Sequence, residues 1–149
     1  MTQSMDNLKN GERLSTEKFK AEYAEGRRDF SYTNLTGINL QGMNLCEIDL
    51  RYAVLYKANL QGANLSQADL ERANLSYANL SDANLSWANL SGTNLAHTKL
   101  WHTNLSWADL DAANPEHAQL KLTTITAVRL PWGVYIISHK KAKKEFNEN

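Results

Sequence analysis

The stretch SYANLSDANLSWANLSGTNL, from Ser76 to Leu95, decides the fold because it repeats one five-residue phrase four times. Each phrase holds a small residue, an asparagine, a leucine and two polar or variable residues. With the leucines taken as centres, the frame runs from Phe30 to Leu110 without an insertion, and every centre except Phe30 is leucine. A fixed period over so much of the chain indicates a repeat architecture.

A five-residue period excludes a helix and fits a coil of short extended segments. On a helix, five residues advance by about 500°, so the leucines would spiral around every face. In extended chain, successive side chains alternate, so the small residue and the leucine share one side and the asparagine lies on the other. The remaining two residues turn the corner. The pattern therefore predicts an all-β solenoid with small residues and leucines inside.

The outward residues repeat every 20 residues, which sets the number of sides. Aspartate directly precedes a centre at four positions that are multiples of 20 apart, and the remaining member of that series is Asn89. The four positions are Asp29, Asp49, Asp69 and Asp109. Trp87 with Trp107, and His97 with His117, show the same spacing. Twenty residues are four segments, so the sequence predicts a four-sided coil.

The motif A-(D/N)-L-x-x, from Ala58 to Ala112, closely resembles the leucine-centred bacterial type of the pentapeptide-repeat family, and the resemblance covers residues 28–112. It implies a right-handed quadrilateral β-helix. Many leucine-centred members have no assigned activity, and some look like regulators that act through protein contacts. Other members resemble duplex DNA in shape and charge and protect DNA gyrase from inhibitors. The resemblance therefore implies a non-enzymatic interaction or scaffold protein, with gyrase modulation as the alternative.

A solenoid needs covered ends, and the flanking segments fit that need. We predict an N-terminal tail and capping helix over residues 1–27, with Ser15 as N-cap and Gly26 as the stop. Regular repeats follow over 28–112, then a degenerate last coil over 113–130. The alternative for this last segment is a helix that begins at Asn114 and Pro115. Residues 131–149 are interpreted as a C-terminal cap and basic tail.

The aspartate series forms a predicted acidic face made of Asp29, Asp49, Asp69 and Asp109. Stacked carboxylates raise one another's pKa and are candidates for a catalytic pair or a metal site. The competing interpretation is structural, because Asp and Asn alternate at this position and both hydrogen-bond local backbone. We favour the structural interpretation, and we expect Arg51 to pair with Glu71 in the next coil.

The outward aromatic residues form a candidate partner-binding surface. Trp and Tyr are frequent at interface hot spots, although stacked rings also shield a corner without binding anything. The candidate residues are Trp87, Trp107, Trp101, Tyr77 and His97. His97 and His117 share a corner, but no cysteine or carboxylate completes a metal site with them.

Charge and motifs narrow the function classes. Lys plus Arg equals Asp plus Glu at 16 each, which argues against a dedicated nucleic-acid binder. Residues 28–130 carry 9 acidic and 7 basic side chains, whereas gyrase-protecting relatives are strongly acidic and often phenylalanine-centred. No phosphate-binding glycine loop, zinc spacing or nucleophile–base motif occurs. We predict no enzyme activity, no cofactor, no nucleic acid and an unknown protein partner.

The termini and the single cysteine give expectations about location and assembly. The N-terminus lacks the apolar segment of a signal peptide, and the longest apolar run, residues 133–137, is too short for a membrane span. The lone Cys46 favours a reducing cytoplasm. The tail HKKAKK is either a solvated end or a contact for an anionic membrane surface. We expect a monomer or an end-to-end dimer through Trp132, Tyr135 and Ile137.

Overall fold

Parallel bridges between residues 20 apart form the framework of the chain. The computed structural model describes residues 11–121, 123–129 and 135–136. From Asp29 onward, each bridge joins the residue before a centre to its counterpart one coil later, so that Asp29 pairs with Asp49 and the same series continues to Arg129. Four such series run in parallel, and the predicted 20-residue coil with four segments is confirmed.

Helices and longer strands are few, because each side of the coil holds one bridge residue between two turns. The helix α1 spans Thr16–Ala24. Among the described residues, two strands occur: β1, Val128–Arg129, and β2, Tyr135–Ile136. Between α1 and β1, hydrogen bonds link each coil to the next, as in the bond from the N–H of Leu75 to the carbonyl of Asn94 at 2.9 Å.

Each corner is a tight turn whose third residue is left-handed. The carbonyl of the centre accepts the N–H three residues on, as between Leu75 and Ala78 at 2.9 Å. The φ angles of the corner residues lie between 51° and 67°, which is the signature of type II turns. Glycine takes this conformation freely, as at Gly62, but a non-glycine residue there costs about 1–2 kcal/mol.

The interior is filled by the predicted residues. The leucine centres from Leu35 to Leu110 are buried, and so are the alanines two positions before them. Between Ala53 and Ala108, three threonines stand at alanine positions, and their hydroxyls donate to the backbone carbonyls 23 residues earlier: Thr93 to Leu70 at 2.8 Å, Thr98 to Leu75 at 2.9 Å and Thr103 to Leu80 at 2.7 Å. Threonine therefore replaces alanine without leaving a buried hydroxyl unpaired.

Where an asparagine precedes a centre, its side chain makes hydrogen bonds on the outside of the coil. The Oδ1 atom of Asn84 accepts the N–H of Ser86 at 3.1 Å, and its Nδ2 donates to Asn64 Oδ1 at 3.2 Å. Asn104 Nδ2 donates in turn to Asn84 Oδ1 at 3.2 Å. The asparagine preference thus follows from two needs, a local turn hydrogen bond and a ladder between coils.

Helix α1 packs against the first coil. The side chain of Ser15 accepts the N–H of Lys18 at 3.2 Å, so the predicted N-cap is confirmed. Phe19 is buried with its ring centroid 4.2 Å from that of Phe30. Tyr23 donates its hydroxyl to the Asn44 carbonyl at 2.8 Å, and Thr16 Oγ1 accepts the Asn39 N–H at 3.2 Å. These side chains make hydrogen bonds with backbone groups at the edge of the first coil, which has no preceding coil to pair with them.

The bridge series continue beyond Ala112. Asn114 pairs with Asn94, and Thr124 pairs with Asn104. The residues after Asn114 form a turn and a further bridge at Gln119, not a helix that begins at Pro115.

Strands β1 and β2 then form an antiparallel pair that the sequence analysis did not predict. The expected dimer contacts at Trp132 and Ile137, and the basic tail, lie outside the described residues, as does the Tyr135 side chain. In the described part of the chain, no helix has the length and apolar character needed to cross a membrane.

Candidate interaction surface

Each coil presents four outward sides separated by four corners, and successive segments along the chain occupy successive sides. The Asp side comprises the outward residues that flank centres 30, 50, 70, 90 and 110, together with Arg129, which pairs with Asp109 in the same series. The Lys side comprises those that flank centres 40, 60, 80, 100 and 120. Because the two series are ten residues apart, which is half of a 20-residue coil, these sides lie opposite each other.

The Trp column consists of Trp87 and Trp107, which occupy the same corner in successive coils. Their ring centroids are 5.0 Å apart with an interplanar angle of 5°. Trp87 remains 60% exposed and Trp107 52% exposed. The predicted stacking is confirmed, and the stack leaves about half of each side chain in contact with solvent.

The His column consists of Tyr77, His97 and His117. The rings of Tyr77 and His97 have centroids 4.6 Å apart, and those of His97 and His117 are 5.0 Å apart. The ten residues from Tyr77 to Trp87 are half a coil, so this column lies on the corner diagonally opposite the Trp column. The predicted candidate residues are therefore split between two corners and do not form one continuous surface.

Trp101 belongs to neither column. It follows the centre Leu100 on the Lys side and is 39% exposed. The Nζ atom of Lys99 is 5.8 Å from its ring centroid, and that of Lys121, one coil later, is 6.0 Å away. These lysines are not among the predicted site residues, although Lys99 stands where the repeat usually has Asn or Asp before a centre.

A third aromatic column lies at the corner next to the Asp side. Tyr32 and Tyr52 stack with centroids 4.7 Å apart and an interplanar angle of 3°. Arg72 continues the column and donates from Nη1 to the Tyr52 hydroxyl at 3.1 Å. Gly92 leaves room for it, since a Cβ there would lie 3.0 Å from Arg72 Cγ. In the sequence, the 20-residue spacing of the two tyrosines indicates that they lie in one column.

Arginines interrupt the Asp side. Arg51 binds Asp49 through two nitrogens, with Nη2–Oδ2 at 2.6 Å and Nε–Oδ1 at 3.0 Å, and its Nε lies 3.6 Å from Asp69. The expected Arg51–Glu71 pair is wrong, because Arg51 pairs with Asp49 in its own coil and with Asp69 in the next. Glu71 lies 3.8 Å from Arg72 instead.

The pKa of Asp49 also differs from the expectation that stacked carboxylates raise one another's pKa. The hydrogen bond from the Arg51 side chain lowers the pKa of Asp49 below its ordinary value, against the opposing effect of burial. Arg129 pairs in the same way with Asp109 and Asp111, at 3.0 Å each.

The aspartates also serve the backbone. The Oδ1 atoms of Asp49, Asp69 and Asp109 accept the N–H two residues later at 3.0, 3.1 and 2.9 Å. The predicted local hydrogen bonding is therefore confirmed. Among the described residues, no group of three or more His, Cys, Asp or Glu side chains is arranged to hold a metal ion.

Comparison with known proteins identifies the architecture. The family model described as pentapeptide repeats matches residues 29–67, 53–92 and 88–126, in eight copies. The crystal structure of alr5209, a pentapeptide repeat protein from Nostoc PCC 7120, is 37% identical over 72% of this chain and 96% of that chain, with a TM-score of 0.62. This chain therefore belongs to the pentapeptide-repeat family, whose members form right-handed quadrilateral β-helices.

A more distant structure agrees on the fold. A pentapeptide repeat protein of the Arabidopsis thaliana thylakoid lumen is 23% identical over 92% of this chain and 83% of its own, with a TM-score of 0.55. The similarity to the fluoroquinolone resistance protein QnrB1 is weaker, with 19% identity over 74% of this chain and 68% of that chain and a TM-score of 0.47. No curated protein matches the chain.

Proposed function

We propose that the protein is a non-enzymatic interaction module whose partner binds the Trp column. The observation that carries the proposal is the pair of stacked, half-exposed tryptophans at corner positions. Nothing in the coil requires a large side chain there, since glycine occupies other corners such as Gly62 and Gly92.

The size of the two side chains adds a second argument. Trp87 and Trp107 have φ angles of 62° and 63°, in the left-handed range that every described corner of the coil shares. This region is least favourable for bulky residues, so two tryptophans are not what the turn itself selects. Exposed tryptophan also supplies large contact area at small entropic cost, which is why it dominates binding hot spots.

The test replaces both tryptophans with serine and asks which proteins the variant still captures from the cells that make it. We expect the double variant to keep its fold and to lose a partner that the wild-type protein retains. The matched control is Tyr32→Ser, which removes a stacked corner aromatic that is 64% exposed. A partner that binds all three proteins equally would contradict the proposal.

The alternative function, gyrase modulation, has less support from the charges of the rod. On the Asp side, Arg51 and Arg129 pair with the carboxylates that a DNA-like acidic surface would leave free. We expect the protein to leave DNA supercoiling by gyrase unchanged, with or without an inhibitor. Protection of gyrase in that assay would favour the alternative.

We further infer that the coil is right-handed, as in the family, and that α1 caps its first turn. The buried Phe19 and the edge hydrogen bonds from Thr16 and Tyr23 support the capping role. Replacement of Phe19 by Asp should expose the first coil and promote aggregation, measured by light scattering. A monomeric, equally stable variant would contradict the capping role.

We propose a reducing cytoplasm as the location of the protein, because Cys46 is its single cysteine.

A further inference from the structure

The Lys side carries a second surface that is separate from the Trp column. Among its described outward residues the formal charges are Lys99 and Lys121, both positive. Trp101 lies between them, exposed, with both ammonium groups within 6.0 Å of its ring centroid. The opposite Asp side holds six carboxylates and two arginines, so the rod is positive on one side and negative on the other.

Lys99 is an exception to the rule that organises the coil. In the regular segments the residue before the centre is Asn or Asp except at Val54 and Lys99, and the Asn or Asp oxygen accepts the N–H two residues later, as Asn79 does for Ser81 at 3.2 Å. Lysine has no acceptor, and the N–H of Trp101 has no hydrogen-bond partner in the described chain. A backbone hydrogen bond of the repeat is therefore lost here, and a cation lies beside an exposed indole instead. Such local departures from the pattern of a fold are typical of functional sites.

The neighbouring corners limit what this surface accepts. The His column borders the Lys side on one corner and adds the rings of Tyr77 and His97. Asp82 lies on the other corner, where Gln61 donates to it at 3.4 Å, and Glu116 lies 3.7 Å from His117. Two lysines with carboxylates nearby do not make the continuous basic groove that nucleic acid requires.

We propose that Lys99, Trp101 and Lys121 form a docking site for an acidic polypeptide segment. Two carboxylates of the segment pair with the two lysines, and an apolar or aromatic side chain packs on Trp101. The acidic Asp side repels such a segment, so charge selects the side of the rod that it approaches. This inference does not depend on the Trp column.

The test measures fluorescence anisotropy with a labelled eight-residue peptide in which pairs of glutamates alternate with phenylalanine. Wild-type protein should bind the peptide, more weakly as salt screens the charges. The double variant K99N/K121N should lose at least about tenfold in affinity. Lys99→Asn restores the asparagine of the repeat, so its melting temperature should equal or exceed that of the wild type while binding falls.

Two comparisons make the result specific. Arg72→Asn removes one positive charge from a corner beside the Asp side and should leave peptide affinity unchanged. Trp101→Ala, a second variant of the site, should weaken binding without a change in the charge of the protein. Absence of binding by the wild type, equal affinity of K99N/K121N, or tighter binding of an eight-nucleotide oligothymidylate than of the peptide would each overturn the proposal.

Discussion

Leu75→Ala tests the interior most sharply, because Leu75 lies near the middle of the rod. Its side chain is fully buried and stacks between the leucines 20 residues before and after it, Leu55 and Leu95. The substitution leaves a cavity that flanking coils cannot fill without moving their own bridges. In a repeat protein each unit contacts its neighbours, so the cavity weakens two coil interfaces.

The expected loss of unfolding free energy is about 2–5 kcal/mol, the range for buried leucine truncation. This is a large fraction of the total stability of a typical domain. The stronger change Leu75→Asp places a charge in the same position and should prevent folding altogether.

The assay is urea unfolding followed by circular dichroism. The slope of the unfolding free energy against urea concentration should be the same for the wild type and the variant, which shows that both unfold in the same two-state transition. The control is Val54→Ala, which truncates an outward residue that is 36% exposed. This control should change the unfolding free energy by less than about 0.5 kcal/mol. The assignment of the leucines to the interior would be refuted if Leu75→Ala were no more costly than Val54→Ala.

Three further predictions concern the outer surface. Asn84→Ala removes a turn hydrogen bond and two ladder hydrogen bonds and should lower the unfolding free energy by about 1–3 kcal/mol, whereas Ser86→Ala, whose hydroxyl has no partner in the described chain, should change urea unfolding little. Arg51→Ala should raise the pKa of Asp49 in an NMR titration. Because the folded pKa is depressed, the stabilisation that Arg51 provides is present above about pH 4 and disappears as pH falls through the folded pKa; a wild-type advantage that persists in strong acid would contradict this. Gln67→Gly relieves a φ of 59° and should raise the melting temperature, whereas Gln67→Val should lower it; the reverse order would contradict the strain argument.

The interior of the fold could be predicted because its cause is local and repeated. An extended segment must place Ala73 and Leu75 on the same side, and the period of five fixes where the chain turns. The 20-residue spacing of Asp29 and Asp49 then gave the number of sides. None of these steps needed the positions of distant residues.

The partners of the outward side chains could not be predicted in the same way. A long side chain such as Arg51 reaches both Asp49 and Asp69, and sequence spacing does not decide between these and Glu71. The division of the candidate surface is different, because it follows from the sequence. Tyr77 and Trp87 are ten residues apart, which is half of the 20-residue coil, so the period alone places them on opposite corners.

The C-terminal end was least predictable because the repeat decays there. Pro115 occupies a leucine position, and the bridge at Gln119 depends on the preceding coil and not on local preference. The antiparallel pairing of β1 with β2 likewise depends on the free edge that the last coil presents. An unpaired edge favours the addition of a strand, but the segment that supplies it carries no repeat signal.

The most direct test of the 20-residue coil uses the single cysteine of the protein. The Oγ atom of Ser66 donates to Cys46 Sγ at 3.3 Å across one coil, and adjacent strands lie within the range that a disulfide spans. We predict that Ser66→Cys forms a disulfide with Cys46 under mild oxidation, detected by mass spectrometry of the proteolysed monomer. Gln61→Cys, on another side of the coil, and Ser86→Cys, two coils away, should not. Failure of Ser66→Cys to form the bond, or equal bond formation by Gln61→Cys, would contradict the four-sided coil.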